Sequence, residues 1–484
     1  MTKMPIGEAL RWLADQDPHA PAVRDRQMSL TRAEFVEAME RYAEVLLAEG
    51  VRVDDLVTIR LPNTVEFVIV CAAIWLVGAT PQPLNSRLPL TEQRDVVERA
   101  DARVVIGATQ DEFPGRRVVA ASGVSGVSRY SGLALVARSW KAPTSSGSTG
   151  TPKIVLAGVS ARFDPTARVA AFIPREATQL VVAPLTHSAP FTYAMRGLMT
   201  GHSLVIEPRF DPRDTLRAIV REHITWVMLV PTMMHRMLRL PAEERATFDL
   251  TSLDSILHIG APCAPHTKRG WIEWIGAEKV TEVYAGSESA GLTMIRGDEW
   301  LQRPGSVGRP IGGSQMRVVS TTTGAELTAG EVGLVQMRRK GPRTYRYVGT
   351  ETSVVDGWHT LGDLGKTDSD GFLWILDRAD DLIVRGGEKI APITIEQALE
   401  AHPAVRSAVA FGQADDDLGQ RVVAIADIAN ASVGATELMA WARGILGPNL
   451  PDEIRSSTEP LRDDAGKVRR QTFTTGGHTP AIQP

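Results

Sequence analysis

The sequence predicts an α/β protein, with a large N-terminal domain of parallel α/β subdomains and a small α+β unit at the C-terminus. Three observations carry this. Helical stretches alternate with short β-rich runs up to residue 310, a pattern that builds largely parallel sheets. From 311 the texture changes to antiparallel-type strands around a Thr-Thr-Thr-Gly turn ending at Gly324. The polar strip Arg378-Ala379-Asp380-Asp381 then separates everything before it from a compact final unit. At 484 residues the chain exceeds what one hydrophobic core supports. The expected division is therefore residues 1–377 as the large domain, with 311–377 as a β-rich subdomain, 378–380 as a hinge and 381–484 as the C-terminal domain.

The elements follow in order. The N-terminus lacks a continuous apolar stretch and reads as an amphipathic helix around Ile6, Leu10 and Leu13, not as a secretion signal. The apolar run 67–79 is too short to cross a bilayer and predicts a buried helix. Residues 103–107, 180–183, 226–230 and 255–259 predict buried strands, and 316–320 with 334–338 an antiparallel pair. Residues 474–484 read as an unfolded tail. There is no internal repeat and no heptad pattern.

Composition excludes several classes. With 43% hydrophobic and 23% charged residues the chain is not intrinsically disordered. A net charge of −4 argues against general nucleic-acid binding, and no membrane insertion is expected. The two cysteines, Cys71 and Cys263, support neither a disulfide framework nor a structural zinc site, which fits a cytoplasmic protein.

The most informative stretch is SSGSTGTPK at 145–153. Gly147 and Gly150 allow backbone amides to approach an anion, Ser145, Ser146, Ser148 and Thr149 add hydroxyl donors, and Lys153 adds a point charge suited to phosphate. The spacing is not that of a Walker loop.

Together with four further segments, this loop resembles the ANL superfamily of adenylate-forming enzymes. Ala183-Pro184-Leu185-Thr186-His187 is similar to the segment bordering the acyl pocket. Tyr284-Ala285-Gly286-Ser287-Glu288 resembles the Y-G-x-T-E signature, with Gly260-Ala261-Pro262 as a second wall of the adenine site. Gly357-Trp358-His359-Thr360-Leu361-Gly362-Asp363 resembles G-W-x-x-T-G-D, with Leu361 in place of threonine. Gly466-Lys467-Val468-Arg469-Arg470 is similar to G-K-x-x-R.

The resemblance implies the ANL fold, with a barrel-like β-rich subdomain and a mobile C-terminal lid turning about Asp380. It implies ATP, Mg²⁺ and CoA as cofactors. Residues 145–150 and Lys153 would hold the β- and γ-phosphates, Tyr284 the adenine, Asp363 and Arg378 the rest of the nucleoside, and Glu288 the metal. Lys467 would bridge the reacting carboxylate and the α-phosphate. Arg385, Gly386 and Gly387 would form the thiolation loop, and His187, Pro190, Phe191 and Met233 the acyl pocket. The family's P-x-E-[IV]-E appears as Pro392-Ile393-Thr394-Ile395-Glu396, so Thr394 replaces a carboxylate and thiolation is expected to be the weaker half-reaction.

The partners implied are a small-molecule carboxylic acid and CoA, with a carrier-protein thiol as the alternative acceptor and a homodimer as the assembly. Local likeness to bile-acid, steroid-acid and diterpenoid-acid ligases points to a polycyclic terpenoid acid, with a medium-chain fatty acid or an aryl acid as the alternative. A non-catalytic acyl or nucleotide sensor is disfavoured, since a sensor has no need of Lys467.

Overall fold

The apolar run forms the helix α1 (Val65–Leu76), where Thr64 caps the N-terminus by accepting the amide of Phe67 and every residue except Glu66 is buried. It is the centre of the first hydrophobic core. The structure is a computed structural model and describes residues 2–123, 125–145, 152–341, 343–349, 354, 356–428, 433–462, 466–468, 470 and 473. The expected unfolded tail at 474–484 lies outside the described residues.

Two sheets carry the α/β region. A four-stranded parallel sheet runs in the order Thr80–Pro83, Leu56–Ile59, Val104–Ile106, Arg117–Val119. A nine-stranded sheet has six parallel strands at its centre, among them Thr178–Val181, Trp226–Leu229, Ser255–His258 and Val280–Ala285, with antiparallel strands at both edges. The four strands expected from sequence thus form, with boundaries one or two residues different. They read as continuous apolar runs because helices cover both faces of such a sheet.

Strand β1 (Lys153–Ala157) lies apart, between the short strand Thr144–Ser145 and a strand of the β-rich region. The helix α2 (Ser188–Met199) follows the first central strand, α3 (Pro231–Leu238) the second, and α4 (Pro265–Ile275) the third. Strand β2 (Val280–Ala285) closes the parallel run.

The β-rich region contributes β3 (Ser314–Val319), β4 (Gly333–Arg339), β5 (Tyr345–Tyr347), β6 (His359–Thr367) and β7 (Leu373–Arg378). Four of these pair antiparallel in the order β3-β4-β6-β7, while β5 leaves to pair with β1. A single 3₁₀ turn, Ala379–Asp381, leads into the C-terminal unit. There a five-stranded sheet packs on α5 (Pro392–Glu400) and on the helix Ala435–Leu446, around its own core. Among the described residues no helix is long and apolar enough to cross a membrane.

Candidate active site

Four neighbouring parallel strands end on one side of the large sheet, and each leads into a predicted functional segment. Thr178–Val181 leads to His187, Trp226–Leu229 to α3, Ser255–His258 to Gly260, and β2 to Glu288. The carboxyl edge of a parallel sheet is where such folds place ligands, because the loops there can vary without disturbing the strands.

On β2, Tyr284 donates a hydrogen bond from its hydroxyl to Asp363 Oδ2 at 2.5 Å. Asp363 stands opposite Arg378 in the register of β6 and β7, so three of the predicted nucleoside residues meet at one point. Burial pushes the Asp363 carboxyl above its usual range, while the Tyr284 hydrogen bond and the Arg378 charge oppose that. Burial and the adjacent Asp363 likewise push the Tyr284 phenol up. Arg378 Nε is buried without a hydrogen-bond partner among the described residues. An orphaned guanidinium donor beside a buried carboxylate is what a hydroxyl-rich, anionic ligand such as a nucleotide would satisfy.

Beyond β2 the chain turns sharply. Ser289 takes a positive φ of 53° and its amide returns to Gly286 O, which sets Glu288 on a tight, strained corner. A Cβ on Gly286 would lie 2.7 Å from Glu288 Oε2 and 2.5 Å from Leu361 Cδ2, so glycine is what lets the Glu288 carboxylate fold back here. Leu361, the departure from the motif, fills the space over Gly286.

Of the phosphate loop, residues 146–151 lie outside the described residues, and so does the side chain of Ser145. Its stem is described: Ser145 and Lys153 face each other across an antiparallel ladder. Lys153 Nζ lies 5.2 Å from the centre of the Tyr347 ring, and the Tyr347 hydroxyl donates to Glu288 Oε1 at 2.8 Å. Tyr347 therefore connects the predicted phosphate lysine to the predicted metal carboxylate. Burial and the Glu288 charge push its phenol well up, so it stays a donor across the working pH range.

On the acyl side, His187 is the N-cap residue of α2. Phe191 turns into the first core, its ring about equally close to Phe67, Trp75 and Trp140, and Pro190 and Met233 are buried as well. Tyr193 instead meets Phe172 and Trp226, forming an aromatic wall.

The C-terminal unit presents two segments. Gly386 and Gly387, at φ of 57° and 87°, make a two-residue turn between paired Arg385 and Glu388. Two consecutive left-handed residues suit the twist of a hairpin and favour glycine. Arg385 is tied inside its own domain, to Leu450 O and Asp452. Asp380 sits in the 3₁₀ turn between the domains. Thr394 is exposed on the first turn of α5. The second segment carries Lys467: a Cβ on Gly466 would lie 2.8 Å from Thr232 Oγ1, so the Lys467 segment rests on the start of α3 in the large domain.

The AMP-binding enzyme family profile matches residues 10–135 and 142–344, and the AMP-binding enzyme C-terminal domain profile matches 394–461. The chain belongs to the AMP-binding enzyme family. This AMP-binding enzyme has the two-domain ANL fold and is an AMP-forming acid–thiol ligase that uses ATP, Mg²⁺ and CoA. It is 28% identical to a feruloyl-CoA synthase of an Amycolatopsis species, over 94% of this chain and 95% of that one. It is also 28% identical to the 2-succinylbenzoate–CoA ligase of Geobacillus kaustophilus, over 97% of each. Among solved structures, ATP-bound MatB from Rhodopseudomonas palustris superposes with a TM-score of 0.82 at 25% identity, covering 98% of this chain and 99% of that one. O-succinylbenzoate coenzyme A synthetase from Bacillus subtilis with ATP and magnesium gives the same TM-score and identity, covering 97% and 99%.

Three features of the AMP-binding enzyme escaped the sequence reading. Tyr347 sits in a segment with no motif. Glu396 proves to be a buried hub, accepting from Arg462 at 2.8 Å, Arg470 at 2.7 Å and the Ala410 amide at 3.0 Å. Lys141 is buried, donating to Thr192 Oγ1 at 2.7 Å and Ser188 Oγ at 3.2 Å on α2. An arginine alone in an apolar stretch was the available signal for Arg196 on α2, whereas Lys141, close after Arg138 and Ser139, had none.

Proposed function

We propose that this AMP-binding enzyme activates an aryl or short aliphatic carboxylic acid as its acyl adenylate and then passes the acyl group to the thiol of CoA. The single observation that carries the reading is the convergence, at one sheet edge, of the Tyr284–Asp363–Arg378 cluster and the Lys153–Tyr347–Glu288 bridge, with the Lys467 segment resting against α3. The relatives named for ferulate and succinylbenzoate favour an aryl acid. The polycyclic terpenoid acid expected from local likeness finds no counterpart among them.

In the first half-reaction two anions must meet, as the substrate carboxylate attacks the α-phosphate and pyrophosphate departs. Lys467 would lie between them and lower their repulsion, and Lys153 would hold the departing phosphates. Glu288 would hold Mg²⁺, which neutralises phosphate charge when bound. Tyr284, Asp363 and Arg378 would fix the nucleoside. AMP is then the group displaced when the thiol attacks the acyl carbon. The Gly386–Gly387 hairpin would line the thiol's path after the lid turns about Asp380.

The test is exchange of labelled pyrophosphate into ATP with benzoate, cinnamate and propanoate, followed by thioester formation on adding CoA. Absence of exchange with every acid overturns the reading. Lys467→Ala is expected to abolish exchange while sparing thioester formation from a supplied acyl adenylate. Equal loss of both steps would refute its role.

A further inference from the structure

Three basic side chains from three separate elements lie about Trp140 and Tyr193, Lys141 and Arg196 at the Trp140 ring and Arg339 close enough to Tyr193 for its charge to be felt there, and none forms an ion pair with a carboxylate among the described residues. Lys141 lies just before the phosphate loop, Arg196 on α2 and Arg339 on β4. Lys141 Nζ and Arg196 Cζ both lie over the Trp140 ring, 5.4 Å and 5.5 Å from its centre. Arg196 feels the charge of Arg339, and both feel Tyr193. Ser188, Thr192 and Arg196 recur every four residues, so they share one stripe of α2, the stripe that faces Lys141.

This arrangement is unfavourable without a ligand. Burial lowers the affinity of all three groups for their protons, and the neighbouring cation adds to that for Lys141 and Arg196. Lys141 also stands at the N-terminal end of α2, where the helix dipole is positive and disfavours a cation. A fold that needed only packing would place methionine or leucine here. Hydroxyl partners satisfy the Lys141 ammonium geometrically but supply no counter-charge. Glu288 is the one carboxylate whose charge reaches the buried Lys141, and none reaches the half-buried Arg196 or Arg339, so the corner keeps an excess of positive charge that an anion would balance.

We infer that Lys141, Arg196 and Arg339 form an anion-binding subsite at the distal end of the acyl pocket, so that the preferred substrate is a carboxylic acid bearing a second carboxylate. The inference rests on the proposed adenylation reading and sharpens its substrate class. The first carboxylate reacts near Lys467. The second lies against the planar guanidinium groups, which match carboxylate geometry in pairs, and the aromatic wall holds the segment between them.

Matched acids test it in the pyrophosphate-exchange assay: 3-phenylpropanoate against 3-(2-carboxyphenyl)propanoate, and butanoate against glutarate. The diacid of at least one pair is expected to have the higher kcat/KM, on the order of tenfold to a hundredfold, the scale of a charge-assisted hydrogen bond. Arg196→Met is expected to lower the diacid's kcat/KM at least ten times more than the monoacid's, and Arg339→Met, on a different element, gives the same result independently should the first variant not fold. A purely structural role would lower both acids alike and overturn the inference. Monoacids equal to or better than diacids in both pairs also overturn it, while leaving adenylation intact. Exchange with no acid removes the adenylation reading and this inference with it.

Discussion

The molecule holds two clusters of buried and half-buried cationic side chains that differ in one respect. In the C-terminal unit, Arg462 and Arg470 close on the Glu396 carboxylate. In the large domain, Lys141, Arg196 and Arg339 close on no carboxylate among the described residues. The compensated cluster flanks Lys467 on both sides in sequence, and so fixes the base of the loop that delivers it. The uncompensated cluster is the one proposed to face the far end of the acyl group. Charge neutralised within the protein serves the fold, whereas charge left unbalanced awaits something from outside.

Predictions that break or sharpen this contrast follow from the largest expected effect downward. Glu396→Ala removes the buried carboxylate shared by two guanidinium groups, leaving Arg462 with Glu400 at 3.6 Å and Arg470 with Asp381 at 3.8 Å, and is expected to cost about 3 kcal/mol of stability in urea unfolding. A loss below about 1 kcal/mol, the scale of an exposed pair, would mean that the cluster is not structural. By contrast, Arg196→Met with Arg339→Met is expected to leave the ligand-free protein as stable or more stable, because it removes mutual repulsion. A large drop in unfolding midpoint would place this cluster with the other. Tyr347→Phe removes the hydroxyl from Glu288 and is expected to lower kcat/KM for ATP by roughly tenfold, the value of one hydrogen bond to a charged group. Tyr347→Ala should do more, because Lys153 also loses the ring beneath it. An unchanged ATP response in both would show that the bridge is incidental.

A further prediction concerns pH. Burial, and then Arg196, lower the Lys141 ammonium from 10.5 to about 7, with Glu288 opposing. Between these values the unfolded chain binds more protons than the folded one, so this group makes stability rise with pH from about 7 to 10.5 and leaves it flat below. Lys141→Met should remove that rise, which a series of unfolding curves from pH 6 to 10 measures.

The meeting of Tyr284, Asp363 and Arg378 was legible because each sits in a local string of residues whose chemistry shows in its spacing, and the phosphate-loop and Lys467 strings stand as proposals on the same ground. The central strands were legible for the same reason, as apolar runs of strand length. Tyr347 was not, since its role depends on β5 leaving its own sheet to pair with β1, a long-range choice that no local pattern reports. Glu396 was read only as part of a motif with Thr394 as its departure. Its partners lie 66 and 74 residues away. Phe191 was placed in the acyl pocket from its neighbour His187, whereas the helical turn between them carries its ring into the core among Trp75 and Trp140.

By itself, then, the sequence determined the alternation of elements and the family's fold, and it proposed the division near residue 378 and the nucleotide-handling residues, because short-range geometry and side-chain chemistry suffice for these. Only the tertiary structure decided which charges meet: that Glu396 neutralises its arginines, that Tyr347 joins Lys153 to Glu288, and that Lys141, Arg196 and Arg339 lie near one another without an ion-pair partner among the described residues. Electrostatic energy depends on distance and burial, and both are set by packing between segments far apart in the chain.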